Sequence, residues 1–192
     1  SAMLERSRWQ LDNNGEYLTG YDFYPEYTAA FVDPFKFYCP KALERHLPAD
    51  AIRKNQDELK RRAAYLAEIG LKGTLIGAFP QWLPESVYEE HPDWRGPRCD
   101  MPFRSRRAYF APCVDNEEVL DLFREASRGL GTVAPCIDTL IFMTNDSGTG
   151  MCWYEDSYPG KNGPASCCER SMAERVTGFL DALESGLATE HP

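Results

Sequence analysis

An apolar run that ends abruptly in a polar pair is the strongest indication of fold in this sequence. Residues 137–144 read Ile-Asp-Thr-Leu-Ile-Phe-Met-Thr and are followed at once by Asn145, Asp146 and a glycine-rich loop. Such a run predicts a strand that is buried on both faces, with helices on either side. Parallel α/β proteins carry their chemistry at the carboxyl ends of such strands. Asn145 and Asp146 are therefore the first candidates for a functional site.

Three segments carry the signals of amphipathic helices. Each begins near a residue that can cap a helix, has apolar residues on one face and reaches glycine where a helix would end. The predicted start and stop residues are Asp50 and Gly70, then Asp115 with Glu118 and Gly129 with Gly131, and finally Ser171 with Glu174 and Gly186. Because all three helices are amphipathic, each should cover one face of another layer.

The strands that alternate with these helices predict a small parallel sheet. The candidates are residues 71–79, 107–113 and 138–144, with an earlier strand in Tyr17–Val32. About four strand-helix units make half of a (β/α)₈ barrel, which takes about 250 residues. The predicted fold class is therefore α/β, a partial (β/α) TIM-type barrel in a single domain over residues 1–192, part of a larger barrel. Ser1-Ala2-Met3 resembles an expression scar.

Two long loops interrupt the regular alternation. They cover residues 80–106 and 145–170, and both follow predicted strands. Loops of this length more often contribute to function than serve only as connections. Because both leave the same end of a parallel sheet, we expect them on its C-terminal face.

Composition restricts the partners that this chain can have. The 192 residues carry a net charge of −9, with one dense basic cluster at Arg104, Arg106 and Arg107. Nucleic-acid binding is driven by clustered lysines and arginines, so we expect no nucleic-acid partner. No apolar run approaches the roughly 20 residues that cross a bilayer, so we expect no membrane partner.

The cysteines indicate a reduced compartment rather than a disulfide framework. Seven thiols, an odd number, are scattered over a chain large enough to build a core without disulfides, so we expect a cytoplasmic location. None of the usual zinc spacings, with two residues between paired ligands, is present, so we predict no metal and no cofactor. A metal-dependent hydrolase stays open as a third hypothesis; its ligands would be Asp146, Cys152, Cys167 and Cys168.

Two acidic residues are the candidate catalytic groups. Asp146 lies at the carboxyl end of the predicted strand, where a carboxyl group can act as a general acid or hold sugar hydroxyls. Glu155, in the loop that follows, could supply the second carboxylate of a glycosidase pair. Structural alternatives stay open, since Asn-Asp-Ser-Gly is also a good turn opener and Glu155 with Asp156 can form a solvated acidic bend.

The long loops also supply most of the candidate substrate-binding residues. Their aromatic side chains offer flat apolar faces with a polar edge, which suits stacking on sugar rings. Their arginines could clamp a carboxylate, as in a uronic acid. The predicted binding residues are Asn145, Trp82, Trp94, Arg95, Arg98, Asp115, Trp153 and Tyr154. The structural alternatives are that the aromatic residues only anchor the loops and that the arginines form ordinary ion pairs.

Short motifs in a fixed order resemble a known family. They are His91-Pro92-Asp93-Trp94, a strand ending in Cys113, a helix opening Asn116-Glu117-Glu118-Val119-Leu120, and Asn145-Asp146 followed by Gly150 and Cys152. Over about residues 51–170 the chain resembles the barrel of bacterial carbohydrate-active proteins related to α-glucuronidases and β-hexosaminidases. The resemblance implies an acid/base carboxylate at the end of the fourth barrel strand, commonly a Glu after Asn or Asp. Asp146 takes that place here, and the partner carboxylate would come from a later strand.

These features predict a glycoside-hydrolase-like protein that acts on or binds a glycoside at the C-terminal face of the barrel. A non-catalytic carbohydrate-binding or protein-interaction module on the same scaffold is the alternative. Because a half barrel leaves sheet edges and an interior uncovered, we expect a homo-oligomer or a larger barrel that supplies the remaining half. If the three strands are adjacent and parallel, their loops should bring Trp82, Asp115 and Asp146 around one cleft.

Overall fold

The computed structural model describes residues 31–105 and 107–188, which combine helices with short strands. The helices are α1 (Ala49–Glu68), α2 (Glu85–Glu90), α3 (Glu117–Val133) and α4 (Met172–Ala188). The strands are β1 (Gly73–Ala78), β2 (Arg95–Arg98), β3 (Phe110–Pro112) and β4 (Ile137–Met143). Within these ranges, no helix has the length and apolar character needed to cross a membrane. The expected expression scar, and the expected early strand apart from residues 31 and 32, lie outside the described residues.

The small parallel sheet forms from two of the predicted strands. β1 and β4 pair in parallel, with Ile76 opposite Ile141, and Val32 adds a parallel bridge to Gly77. β3 pairs instead with β2 in an antiparallel ribbon. The prediction that residues 107–113 join the parallel sheet is therefore wrong. The described residues between β2 and β3 form no helix, whereas parallel strands are usually joined by a crossover that contains one.

One face of this sheet is buried and the other is exposed. Leu75 of β1 is buried, whereas Ile76, Ile141 and Met143 are each about half exposed at 49%, 51% and 50%. Successive side chains of a strand point to opposite faces, so an apolar run places hydrophobic residues on both sides of the sheet. The expectation that β4 is buried on both faces is therefore wrong within the described chain.

The buried face of the sheet lies against three helices. Leu75 belongs to an apolar cluster with Leu59 of α1 and Leu130 of α3. Further along β4, the ring of Phe142 meets Phe179 of α4 edge-on, with centroids 5.7 Å apart. Aromatic pairs in this geometry add stabilisation beyond the area that they bury. The three amphipathic helices thus cover one layer, as their sequence periodicity predicts.

Of the three predicted helix caps, the structure confirms one and moves the other two. Ser171 and Glu174 exchange hydrogen bonds at the start of α4, which confirms the predicted capping box. At α3, however, the cap is Asn116, whose Oδ1 accepts a hydrogen bond from Glu118 N at 2.9 Å. Asp115 is therefore not the cap that the spacing suggested. At α1 the cap position belongs to Pro48, and Asp50 lies in the first turn.

The predicted glycine stops are right only for α1. Gly70 follows α1 in the left-handed conformation, with a φ of 69°. α3 continues through Gly129 and Gly131, and α4 continues through Gly186. Gly129 and Gly186 make room for neighbours, because a Cβ atom on Gly129 would meet the ring of Tyr38 and one on Gly186 would lie 2.5 Å from the carbonyl oxygen of Arg124 in α3. These two glycines are packing positions rather than helix ends.

Two alanine substitutions in α4 should have opposite effects on stability. Gly186→Ala should lower the free energy of unfolding by about 1–3 kcal/mol, because the Arg124 carbonyl cannot move aside without separating the helices. Gly178→Ala should raise it by about 0.5–1 kcal/mol, because nothing lies within 4 Å of the new methyl group and alanine favours helix. Urea denaturation measures both changes. Equal effects of the two substitutions would contradict this account of Gly186.

Candidate functional site

A tight turn follows β4 where the sequence predicts the site. Asn145 adopts the left-handed backbone conformation, with a φ of 62°. A residue other than glycine in this region costs about 1–3 kcal/mol unless its surroundings hold it there, and Asn tolerates it best. The Asn145 side chain supplies that hold, because its Oδ1 accepts a hydrogen bond from Met151 N at 2.7 Å. Asn145, a predicted substrate-binding residue, therefore fixes the shape of the turn.

Asp146 is the exposed carboxylate of this turn. Its Oδ1 accepts a hydrogen bond from Ser147 N at 2.7 Å. Its backbone oxygen accepts a second hydrogen bond, from Thr149 N at 2.9 Å. Among the described residues, Oδ2 of Asp146 has no partner. One carboxylate oxygen thus stabilises the turn, and the other is available to a ligand.

The first long loop lies directly beside this turn. Trp82 N donates to the carbonyl of Gly148 at 2.9 Å, and Gly148 N donates to the carbonyl of Cys99. The Trp82 indole, however, is buried at 2% exposure and packs edge-on against Tyr109. The backbone of Trp82 is therefore close to Asp146, while its ring belongs to the core and offers no face to a sugar.

Trp94 is also committed to the interior. It is 4% exposed, and its Nε1 donates to Glu118 Oε2 at 2.7 Å. The imidazole of His91 stacks on the indole face, with the ring centroids 3.8 Å apart. The hydrogen bond to Glu118 anchors the first loop to α3, which is the structural alternative for Trp94.

The two candidate arginine clamps already have carboxylate partners. Arg95 pairs with Glu85 and lies over the ring of Tyr88. Arg98 holds Asp100 through two hydrogen bonds of 2.7 and 2.8 Å. A guanidinium that is engaged in this bidentate way is not free to recognise a second carboxylate. Both arginines act as structural ion-pair partners in this fold.

The second loop keeps its aromatic residues closer to solvent. Trp153 and Tyr154 are both half-buried. The Trp153 indole Nε1 donates to the carbonyl of Pro164 at 3.0 Å, which fixes the orientation of the ring. Glu155 is exposed and pairs with Lys161 at 3.0 Å. Of the predicted aromatic binding residues, these two are the ones that the structure leaves partly accessible.

Asp115 turns away from the predicted cleft into the interior. Its side chain is 3% exposed, with Oδ1 lying 3.0 Å from Arg170 Nη1 and Oδ2 lying 3.2 Å from Arg175 Nε. The N–H groups are not aligned for hydrogen bonds to either oxygen, so these contacts are charge attraction alone. Burial raises the pKa of Asp115 above its usual range, and the two arginines oppose that rise.

Three buried thiols surround this carboxylate. The ligand atoms of Cys113, Asp115, Cys152 and Cys167, which we name the cysteine–aspartate cluster, all lie within 4.8 Å of one another. The Cys152 thiol donates to Cys113 Sγ at 3.6 Å. That hydrogen bond lowers the pKa of Cys113 to about 7 despite its burial. The same contact, with burial, raises the pKa of Cys152, and burial raises that of Cys167 to about 11.

A buried guanidinium holds the backbone around the cysteine–aspartate cluster. Arg175, in the first turn of α4, is 2% exposed. Its Nη1 donates to the carbonyl of Cys152 at 2.9 Å, and its Nη2 donates to the carbonyls of Cys167 and Arg170. The side chain therefore fixes two cysteines at once while its charge faces Asp115.

Sequence reasoning missed this grouping because its spacing follows no common motif. Cys113 and Asp115 have one residue between them, and Cys152 and Cys167 come from distant parts of the second loop. The third hypothesis named Cys152 and Cys167, which do lie together. Its other two residues, Asp146 and Cys168, are exposed and outside the cluster. The available signal was the position of Cys113 and Asp115 directly after β3.

Removing the buried guanidinium should destabilise the fold strongly. Arg175→Met should lower the free energy of unfolding by about 3–5 kcal/mol, because it removes the buried charge beside Asp115 and the side-chain hydrogen bonds to three backbone carbonyls. Arg170→Met is the matched control. Arg170 is 44% exposed, so its loss should cost about 1 kcal/mol or less. Chemical denaturation of both variants tests the difference, and similar losses would contradict it.

Comparisons with known proteins add no relative to this description. No protein-family model, curated protein or solved structure matches the chain. The resemblance to carbohydrate-active barrels therefore depends on the sequence motifs alone.

Proposed function

We propose that this chain is a glycoside-hydrolase-like protein that binds a glycoside at the carboxyl end of β1 and β4. The observation that carries the proposal is the position of Asp146, an exposed carboxylate on a rigid turn directly after a parallel strand. In parallel α/β proteins this end of the strands holds the functional groups. The family resemblance implies the same position for an acid/base carboxylate.

The geometry of the turn suits a carboxylate that must be held still. Hydrogen bonds from Met151 N to Asn145 and from Thr149 N to Asp146 fix the backbone on both sides of the carboxylate. A ligand then does not bear the entropy cost of ordering the loop. The free Oδ2 of Asp146 can accept a hydrogen bond from a sugar hydroxyl, or donate a proton when the carboxyl group is protonated.

Trp153 and Tyr154 are the aromatic residues that we assign to this proposed site. Both are half-buried, so part of each ring remains accessible. A sugar ring stacks on such a surface through its apolar C–H face. Trp82 and Trp94 are excluded as stacking surfaces because their rings are buried.

A partial (β/α) barrel is the architecture that we propose around this site. Helices cover one face of β1 and β4, while Ile76, Ile141 and Met143 are exposed on the other. In a (β/α) barrel the helices lie outside and the inner face of the strands is filled by apolar side chains from the remaining strands. The exposed face therefore corresponds to an inner barrel face, which a second copy or the rest of a larger barrel would cover.

A non-catalytic carbohydrate-binding module is the second candidate. It is favoured by Glu155, the predicted second carboxylate, which is exposed and paired with Lys161. A glycosidase needs two carboxylates across the scissile bond, and Glu155 would have to leave Lys161 to act as the second one. Binding requires only Asp146 and the aromatic residues.

Asp146→Asn should remove the function of the site without changing the fold. If the protein is an enzyme, hydrolysis of aryl glycosides or aryl glucuronides should fall about 100-fold or more, because the amide cannot transfer a proton. If it is a binding module, wild type should bind these sugars without turnover, and the substitution should weaken binding measured by calorimetry.

The matched control for this experiment is Asp156→Asn, an exposed carboxylate in the same loop. It should leave turnover and binding unchanged. Circular dichroism checks that both variants are folded. Unchanged turnover and binding in Asp146→Asn would show that this carboxylate has no functional role.

Charge on the exposed sheet face should disrupt self-association. Wild type should form a dimer or larger assembly in light scattering, because the exposed strand edge and the apolar face need a cover. Ile141→Lys should shift this assembly toward monomer. Leu180→Lys, at a similarly exposed apolar residue of α4, is the control and should not. A wild-type monomer at all concentrations would contradict coverage by a second copy.

A further inference from the structure

We propose that the cysteine–aspartate cluster is a zinc site in which Cys113, Cys152 and Cys167 supply thiolates and Asp115 supplies a carboxylate oxygen. The four ligand atoms lie within 4.8 Å of one another, and the Cys113 and Cys152 sulfurs are 3.6 Å apart. In a tetrahedral site with Zn–S bonds of about 2.3 Å, sulfur atoms lie about 3.8 Å apart. The donors are therefore already spaced for one ion.

The carboxylate of Asp115 lacks the hydrogen bonds that its burial calls for. Its side chain is 3% exposed, and neither oxygen accepts a hydrogen bond, although Arg170 and Arg175 are close. Buried carboxylates in folded proteins normally accept several hydrogen bonds or coordinate a metal. Here the lone pairs of Asp115 remain available on the side where three sulfur atoms converge.

The charges around the cluster also match a bound divalent ion. Three thiolates, one carboxylate and Zn²⁺ together carry two negative charges. Arg170 and Arg175 supply two positive charges within 3.2 Å of the carboxylate. Arg175 also holds the carbonyls of Cys152 and Cys167, which makes it a positioning residue for two of the ligands.

The donor set and its enclosure indicate a structural ion rather than a catalytic one. Four protein ligands complete a tetrahedral zinc shell and leave no position for water. Trp153 packs against the thiols, and Gly163 approaches Cys152 so closely that a Cβ atom there would lie 2.9 Å from the Cys152 Cβ. Soft sulfur donors favour Zn²⁺ over Mg²⁺ or Ca²⁺.

The ion would join three segments that are distant in the sequence. Cys113 and Asp115 lie between β3 and α3, Cys152 follows β4, and Cys167 lies in the short 3₁₀ helix before α4. Binding would therefore attach the second long loop to the starts of both α3 and α4. This inference does not depend on the proposed carbohydrate function, since it uses none of that site's residues except Trp153 as cover.

Elemental analysis of the full chain, purified under reducing conditions without chelator, tests the site. Wild type should contain about one equivalent of zinc. X-ray absorption should show three sulfur ligands at about 2.3 Å and one oxygen ligand at about 2.0 Å. Removal of zinc with a chelator should lower the melting temperature by about 5 °C or more, and added Zn²⁺ should restore it.

The neighbouring cysteines provide matched variants. Cys167→Ser should reduce the zinc content to below about one fifth of an equivalent, whereas Cys168→Ser, at an exposed thiol outside the cluster, should retain the full equivalent. Circular dichroism of both variants shows whether each is folded. Because wild type is measured directly, an unstable Cys167→Ser variant does not prevent the test.

Two outcomes would overturn the zinc site. One is wild-type protein that has no zinc as purified and shows no change in melting temperature when Zn²⁺ is added. The other is a Cys113–Cys152 disulfide found by mass spectrometry in protein kept under reducing conditions. Neither outcome bears on Asp146, so failure of this inference is separate from failure of the carbohydrate proposal.

Discussion

The burial of Arg175 beside Asp115 is the constraint on which the arrangement of the second half of the chain depends. A guanidinium cannot lose its charge, so removing it from water costs several kcal/mol unless an opposite charge and hydrogen-bond acceptors lie close to it. Here the charge faces the Asp115 carboxylate, while Nη1 and Nη2 donate to three backbone carbonyls in the segments around Cys152 and Cys167. Each of those segments must reach its place before the charge is satisfied. The loop after β4 and the start of α4 are therefore fixed together.

The same ion pair explains how α3 begins. A carboxylate that faces Arg175 cannot also cap the helix, so the capping role passes to the next residue, Asn116. The spacing rules for caps are local and fit either position, because both Asp and Asn are good caps. What decides between them is a charge on α4, sixty residues along the chain. This is a tertiary effect that no local pattern contains.

Much of the fold could be predicted from periodicity, and the position of Asp146 after β4 could be predicted from the apolar run before it, whereas the cysteine–aspartate cluster could not be predicted. Helical periodicity identified α1, α3 and α4, and the capping box identified the start of α4, since these signals depend on neighbouring residues. The buried face of β4 was not predictable, because Leu140, Ile141, Phe142 and Met143 are all apolar. The glycine signal predicts a helix end at Gly186, but glycine is needed there because the carbonyl of Arg124 on another helix leaves no room for a Cβ atom. The sequence predicts a stacking surface at Trp82, because a sequence does not show which tryptophan is buried.

The base of the second loop is closed by its own hydrogen bonds. Trp153 N donates to the carbonyl of Asn162 at 2.7 Å, and the Asn162 side chain exchanges hydrogen bonds with both backbone groups of Arg98. These hydrogen bonds hold the two ends of residues 154–161 together. Tyr158, within this segment, is 45% exposed. Surface loops whose two ends are fixed in this way tolerate changes in length between those ends. The part of the loop beyond Tyr154, residues 155–161, is accordingly a position at which this chain can accept an epitope tag or a fluorescent label.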